Sequence, residues 1–204
     1  MAQINLQPAY EKAKKELAGI SPEAASDNAQ VAFDPVGFFF TVPFLGTKYH
    51  VYYPSGEVRC AGEKKEVPLA YQIILLHYLT HCSPRAVEGR KIAFRELPGG
   101  SIYVGPFTKR SINPLVAIFG SKPGKLAEAA GKLGGWTEKM GDLAVTVPVL
   151  PKIPITFVLW EGDDEFPPSG NVLFDASAPS HLDTEDYALL PGLTIWEMKK
   201  LVQI

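Results

Sequence analysis

Cysteine is scarce in this sequence: Cys60 and Cys82 are the two among 204 residues, and no C-x-x-C pair occurs. The chain alone therefore cannot supply four thiolates to an iron–sulfur cluster or to an all-cysteine zinc site. Both are expected to be free thiols in a reducing compartment. Long apolar runs are missing too. The longest, Leu115 to Phe119, is closed by Gly120, far short of the roughly 20 apolar residues of a membrane span, so no membrane segment is predicted. Charge of neither sign dominates: 20 Lys+Arg stand against 22 Asp+Glu, a formal net charge of −2. That balance gives no electrostatic reason to bind nucleic acid, which needs clustered cations to neutralise phosphates. The common catalytic patterns G-x-G-x-x-G, G-x-S-x-G and H-E-x-x-H do not occur. Residues 1–17 mix Gln, Glu and Lys with apolar residues and lack a secretory-signal pattern, so a cytoplasmic location is expected.

What is there suits one soluble globular domain over residues 1–204. The chain is 46% hydrophobic, 11% aromatic and 21% charged, and a chain of this size buries roughly 70% of its unfolded surface, enough for one sizeable core. Leu6, Ala9, Tyr10, Ala13, Leu17 and Ile20 recur at helical spacing, and Ser21-Pro22 reads as an N-cap followed by a first-turn proline. Four β-branched and aromatic runs follow: Val31–Phe33, Gly37–Val42, Lys48–Tyr53 and Gly56–Arg59. They are separated by Asp34-Pro35, Leu45-Gly46 and Pro54-Ser55-Gly56, as antiparallel strands require. Val67–Cys82 is apolar on nearly every face, which predicts a central buried helix. Beyond it come a short strand at Arg90–Phe94, an apolar stretch at Ile102–Val104, and helical texture from Phe107 to Phe119, where Pro114 predicts either a break or the start of a helix. Leu126 to Leu133 carries another helical stripe, ended by Gly134-Gly135. A second β cluster spans Leu143–Val149, Ile153–Trp160 and Asn171–Phe174, and Thr194-Ile195-Trp196-Glu197 has the capping-box form for a last helix. Without regular βαβ alternation the class is α+β, with a mainly antiparallel sheet joining both strand clusters and packed with several helices. The three tryptophans, Trp136, Trp160 and Trp196, are read as core anchors.

The densest chemistry is Trp160-Glu161-Gly162-Asp163-Asp164-Glu165-Phe166, four acids within five residues after a strand. It lacks the alternating ligands of an EF-hand loop and reads as a solvated acidic turn. Asp175, His181, Asp183, Glu185 and Asp186 lie further on; Asp183, Glu185 and Asp186 are explained as acids at a helix N-terminus. If these segments come together, carboxylates and His181 form a mixed oxygen and nitrogen site. Arg95-Glu96 and Lys109-Arg110 read as an ordinary salt-bridge network, with an anion site opposite the acids as the other possibility. His77 and His81, four apart on a helix, have metal-ligand spacing but no carboxylate at the base position, and are read as packed histidines. Gly120-Ser121-Lys122-Pro123-Gly124-Lys125-Leu126 falls one residue short of a phosphate loop and has Leu where Ser or Thr would hold the metal, so it is structural.

Three runs, FRELPGG at 94–100, NPLVAIFG at 113–120 and LWEGDDEFPPSGNVLFDASAPSHLDTEDYALL at 159–190, resemble a family of unknown function from anaerobic bacteria and archaea, over nearly the whole chain. Some members look like fusions to a small cysteine-rich iron–sulfur domain, which implies a role near redox or one-carbon metabolism. This chain lacks that extension, so the resemblance implies that any iron–sulfur or corrinoid group belongs to a separate partner protein. It assigns no catalytic residue and no cofactor.

Two readings follow. In the first, the chain is a cytoplasmic binding or accessory module without turnover of its own, meeting a protein partner through Glu161, Asp163, Asp164 and Glu165 and the nearby Asp175–Asp186 segment, with Arg95 and Arg110 as further binding candidates. In the second, it is a metal-dependent enzyme or cofactor-binding protein whose divalent metal is held by Asp163, Glu165, Asp175 and His181. The second requires those four groups to converge.

Overall fold

The computed structural model describes residues 5–62 and 65–203. The chain separates into two compact units. The first contains the described residues up to Arg85 together with Ser180–Leu182; the second runs from Ala86 to Pro179 and resumes at Asp183.

In the first unit α1 (Gln7–Ala18) and α2 (Pro22–Ala29) precede β1 (Ala32–Asp34), β2 (Phe39–Phe44), β3 (Thr47–Tyr52) and β4 (Val58–Cys60), and α3 (Leu69–His81) follows. The Ser21 hydroxyl accepts from the Ala24 amide at 3.3 Å and Pro22 opens α2, so the cap acts as its sequence suggests. The strands form an antiparallel meander in chain order. Between β2 and β3, Leu45 and Gly46 have φ of 50° and 74°, the all-positive turn whose twist matches the strands it joins. Phe40, Val42, Phe44, Tyr49 and Val51 are buried on one face of the sheet, and the Phe44 ring meets Tyr71 of α3 edge-on at 5.0 Å. α1 and α2 pack against α3 as well. A helix covered from several sides needs apolar residues all round, and Tyr71, Ile73, Ile74, Leu75, Leu76, Tyr78 and Leu79 are all buried.

The second unit contains β5 (Lys91–Ala93), α4 (Gly100–Phe107), α5 (Asn113–Phe119), α6 (Pro123–Lys132), β6 (Trp136–Glu138), β7 (Leu143–Leu150), β8 (Ile153–Trp160), β9 (Ser169–Asp175), α7 (Thr184–Tyr187) and α8 (Leu190–Leu201). Its five strands are antiparallel in the order β5-β9-β8-β7-β6. One face packs on helices: a Cβ on Gly170 would stand 3.1 Å from Val116 and 3.3 Å from Leu115 of α5. Phe174 lies on that face with Phe94, Phe107 and Tyr187 around it at ring distances of 6.2, 6.1 and 5.2 Å. The other face carries Trp136, Glu138, Thr146, Thr156 and Lys91, of which Trp136, Thr146 and Thr156 are in register across β6, β7 and β8.

The α+β class is as expected, but the strand clusters form two sheets. Along the chain α3 and the segment after it separate β4 from β5, and among the described residues no strand of one cluster pairs with a strand of the other. Ile102–Val104 lies within α4. Pro114 falls in the first turn of α5, so of the two expectations there it is the helix start that the fold adopts, and residues 108–112 form one wide turn linking α4 to α5. α8 begins at Leu190, so Thr194 is an interior residue whose hydroxyl donates to the Leu190 carbonyl at 2.8 Å. Nor are the tryptophans core anchors: Trp136, Trp160 and Trp196 are 51%, 40% and 49% exposed.

Candidate functional site

The acidic segment is the loop that closes the β8–β9 hairpin, starting where Trp160 pairs with Ser169. It has a defined shape. One carboxylate oxygen of Asp163 accepts the Glu165 and Phe166 amides at 2.9 and 2.7 Å, and the Asp163 amide donates back to the Phe166 carbonyl at 2.9 Å. Those backbone bonds, from Phe166 first and then Glu165, hold the Asp163 carboxyl below the usual aspartate range. Gly162 is required here, since a Cβ would come within 2.7 Å of Pro168 and 2.9 Å of the Phe166 carbonyl. Glu161 is tethered by its amide to Asp142 at 2.8 Å. Glu161, Asp163, Asp164 and Glu165 are exposed, and among the described residues none of their carboxylates forms an ion pair. Phe166 stands 68% exposed at the end of this run. With Gly120, Ser121 and Pro123 from the α5–α6 turn, the loop lines an open hollow of about 550 Å³.

The other candidates are not brought to this loop. Asp175 ends β9, six residues beyond Ser169, which along a strand is roughly 20 Å from the hairpin loop. Its oxygens accept the amides of Glu88, Gly89 and Ser177 at 2.9, 2.7 and 2.9 Å and the Ser177 hydroxyl at 2.6 Å. Burial works to raise its pKa, and these bonds together outweigh it, leaving Asp175 below the usual aspartate value. It is an anchor for the chain entering β5. His181 is fully buried in the first unit, its Nδ1 3.4 Å from the Cys82 thiol. The four-ligand metal set is thus corrected: the hairpin places Asp163 and Glu165 at one end of β9 and Asp175 at the other, and His181 is packed against Cys82. Arg95 and Arg110 are exposed. Arg95 lines a separate hollow of about 240 Å³ with Val104, Phe107 and Asn171, and among the described residues neither arginine forms an ion pair with the acids of the loop.

A second site was not foreseen. On the face of the five-stranded sheet away from the helices, Lys91, Trp136, Glu138, Thr146, Thr156 and Asp175 line a cleft of about 370 Å³, with Val87, Gly89 and Pro154 completing its wall. One oxygen of Glu138 accepts three donors: the Lys91 ammonium at 3.0 Å, the Thr146 hydroxyl at 2.9 Å and the Trp136 indole N–H at 3.2 Å. The Lys91 bond is the main reason the Glu138 carboxyl titrates below its usual range; burial opposes it, and Thr146 and Trp136 add to it. Thr146 and Thr156 are 2.7 Å apart. Because Thr146 spends its single hydroxyl hydrogen on Glu138, Thr156 donates to Thr146 and keeps its own lone pairs. A trace of this array is visible in the sequence, as one threonine within each of LAVTVPVL and IPITFVLW. Threonine favours strands anyway, which hides the signal.

A family model described as a domain of unknown function (DUF3786) matches residues 21–196. No curated protein and no solved structure matches the chain.

Proposed function

The chain belongs to that family, and from this premise we propose that it is a binding or accessory module of the cytoplasm that meets a protein partner through the β8–β9 loop. One observation carries the reading: four exposed carboxylates, unneutralised by any described cation of the chain, precede the exposed Phe166 on a loop held in shape by Asp163. Charges left without counterions at a surface steer a partner of opposite charge, and an exposed aromatic beside them supplies the apolar anchor on which affinity concentrates. The fitting partner carries a basic patch beside an apolar pocket. Its class, in this reading, is an iron–sulfur or corrinoid protein of anaerobic redox or one-carbon metabolism, a choice that rests on the family resemblance and on a chain whose two cysteines cannot ligate a cluster alone. An acidic docking loop repels nucleic acid, and no described helix is long and apolar enough to cross a membrane.

The test is the triple variant Asp163→Asn, Asp164→Asn, Glu165→Gln. Asparagine at 163 keeps an oxygen for the two backbone amides, so the loop keeps its shape and folding stays close to wild type, as exposed charges contribute little. Capture of the partner from an anaerobic extract of the source organism is expected to fall at least tenfold, and the wild-type complex to dissolve as salt is raised. Capture at wild-type level by the variant contradicts the proposal.

A further inference from the structure

We propose that the cleft on the five-stranded sheet binds a neutral, polyhydroxylated ring, a pyranose or a ribose. In this mode two neighbouring hydroxyls sit on Glu138 and Lys91 while the carbon face of the ring lies against Trp136. The inference rests on the cleft alone and is independent of the acidic loop.

Three features point to that chemistry. The first is unused hydrogen-bonding capacity placed side by side. Lys91 gives one of its three ammonium hydrogens to Glu138, and the three donors on Glu138 all converge on Oε1, which leaves Oε2 as an acceptor. A pair of vicinal hydroxyls meets both needs at once, one donating to Glu138 Oε2 and the other accepting from Lys91 Nζ. The buried Thr156 hydroxyl, 3% exposed, adds lone pairs for a third.

The second is a preorganised apolar plate. The Trp136 indole is half exposed and is tied by its N–H to the same carboxylate. Its orientation is fixed before any ligand arrives, and Val87 and Pro154 extend the apolar wall. The volume falls within the roughly 300–1,000 Å³ typical of small-molecule sites.

Charge supplies the third. Lys91 and Glu138 already neutralise one another at 3.0 Å, and Asp175 is caged by four hydrogen bonds. An anionic ligand would meet Glu138 and Asp175, and a cationic one would meet Lys91. A neutral ligand leaves the ion pair intact and pays no such penalty.

Ligand-observed NMR and indole fluorescence on the full chain test the assignment. The neutral probes are the methyl α-glycosides of glucose, galactose and mannose, and adenosine; the charged comparators are leucine, choline and acetate. At least one neutral probe is expected to bind in the millimolar range. Trp136→Ala, at a half-exposed position where folding is retained, should weaken it at least tenfold, and Glu138→Gln should do likewise. Binding by the glycosides but not adenosine supports a pyranose site. For a ribose site the expectation is that adenosine binds and 2′-deoxyadenosine binds at least tenfold more weakly. No saturation by any neutral probe up to about 10 mM, tighter binding of a charged comparator, or unchanged binding in both variants would each overturn the proposal.

Discussion

Phe174→Ala is expected to cost the second unit about 3–5 kcal/mol, the range for emptying an aromatic site in a packed core. Phe174 is 1% exposed, and Phe94, Phe107 and Tyr187 close around it from three different elements. Phe94 and Phe107 are themselves stacked at 4.0 Å, so one truncation opens a void that no neighbour can fill without abandoning its own contacts. All three tryptophans lie in this unit, and indole fluorescence during urea unfolding therefore reports it without interference from the first. A loss below about 1 kcal/mol, the scale of an ordinary surface change, would contradict the packing described.

The neighbouring residue points to the other face and fails for a different reason. Asp175→Ala is expected to cost about 2–4 kcal/mol, because three backbone amides and the Ser177 hydroxyl lose one shared acceptor and Ser177 is fully buried. The same bonds set a pH dependence. With its folded pKa below the unfolded value of about 3.9, Asp175 contributes stability that is fully present above the unfolded value and lost as the pH falls through the folded one. Other carboxylates in the unit, Glu128 and Glu138 among them, are depressed as well, so the informative quantity is a difference. Between about pH 5 and pH 3 the gap in stability between wild type and Asp175→Asn should narrow as the pH falls. A gap that stays constant would mean that the carboxylate's charge plays no part.

Much of this architecture is legible in the sequence wherever local chemistry decides. Ile153–Trp160 reads as a strand because prolines and an acidic turn bound it; Ser21-Pro22 reads as a helix start because cap and proline agree; α3 reads as buried because it has no polar face. What escaped depends on distance along the chain. Trp136–Glu138 is a three-residue edge strand with no buried alternation, and it exists because β7 is there to pair with it. The separation into two sheets follows from which strands find partners, a property no single segment carries. At the candidate site the acidic loop was visible as composition, while its shape, set by Asp163 and Gly162, was not. The cleft was invisible because Lys91 and Glu138 are brought together through β9, β8 and β7, and its threonines pass for ordinary strand formers. Asp175 stands out in the sequence as a carboxylate at the end of a strand, whereas its partners, three backbone amides and the Ser177 hydroxyl, carry no sequence signal.

Partner binding by the β8–β9 loop can be read out by site-specific photo-crosslinking in an anaerobic extract. Benzoylphenylalanine is placed at position 166, where the native ring is 68% exposed, and, as a control, at position 36, where Val36 is 90% exposed in the first unit. One dominant adduct is expected from position 166, absent from position 36 and lost in high salt. Equal labelling from both positions, or a dominant adduct from position 36 with none from 166, would contradict it.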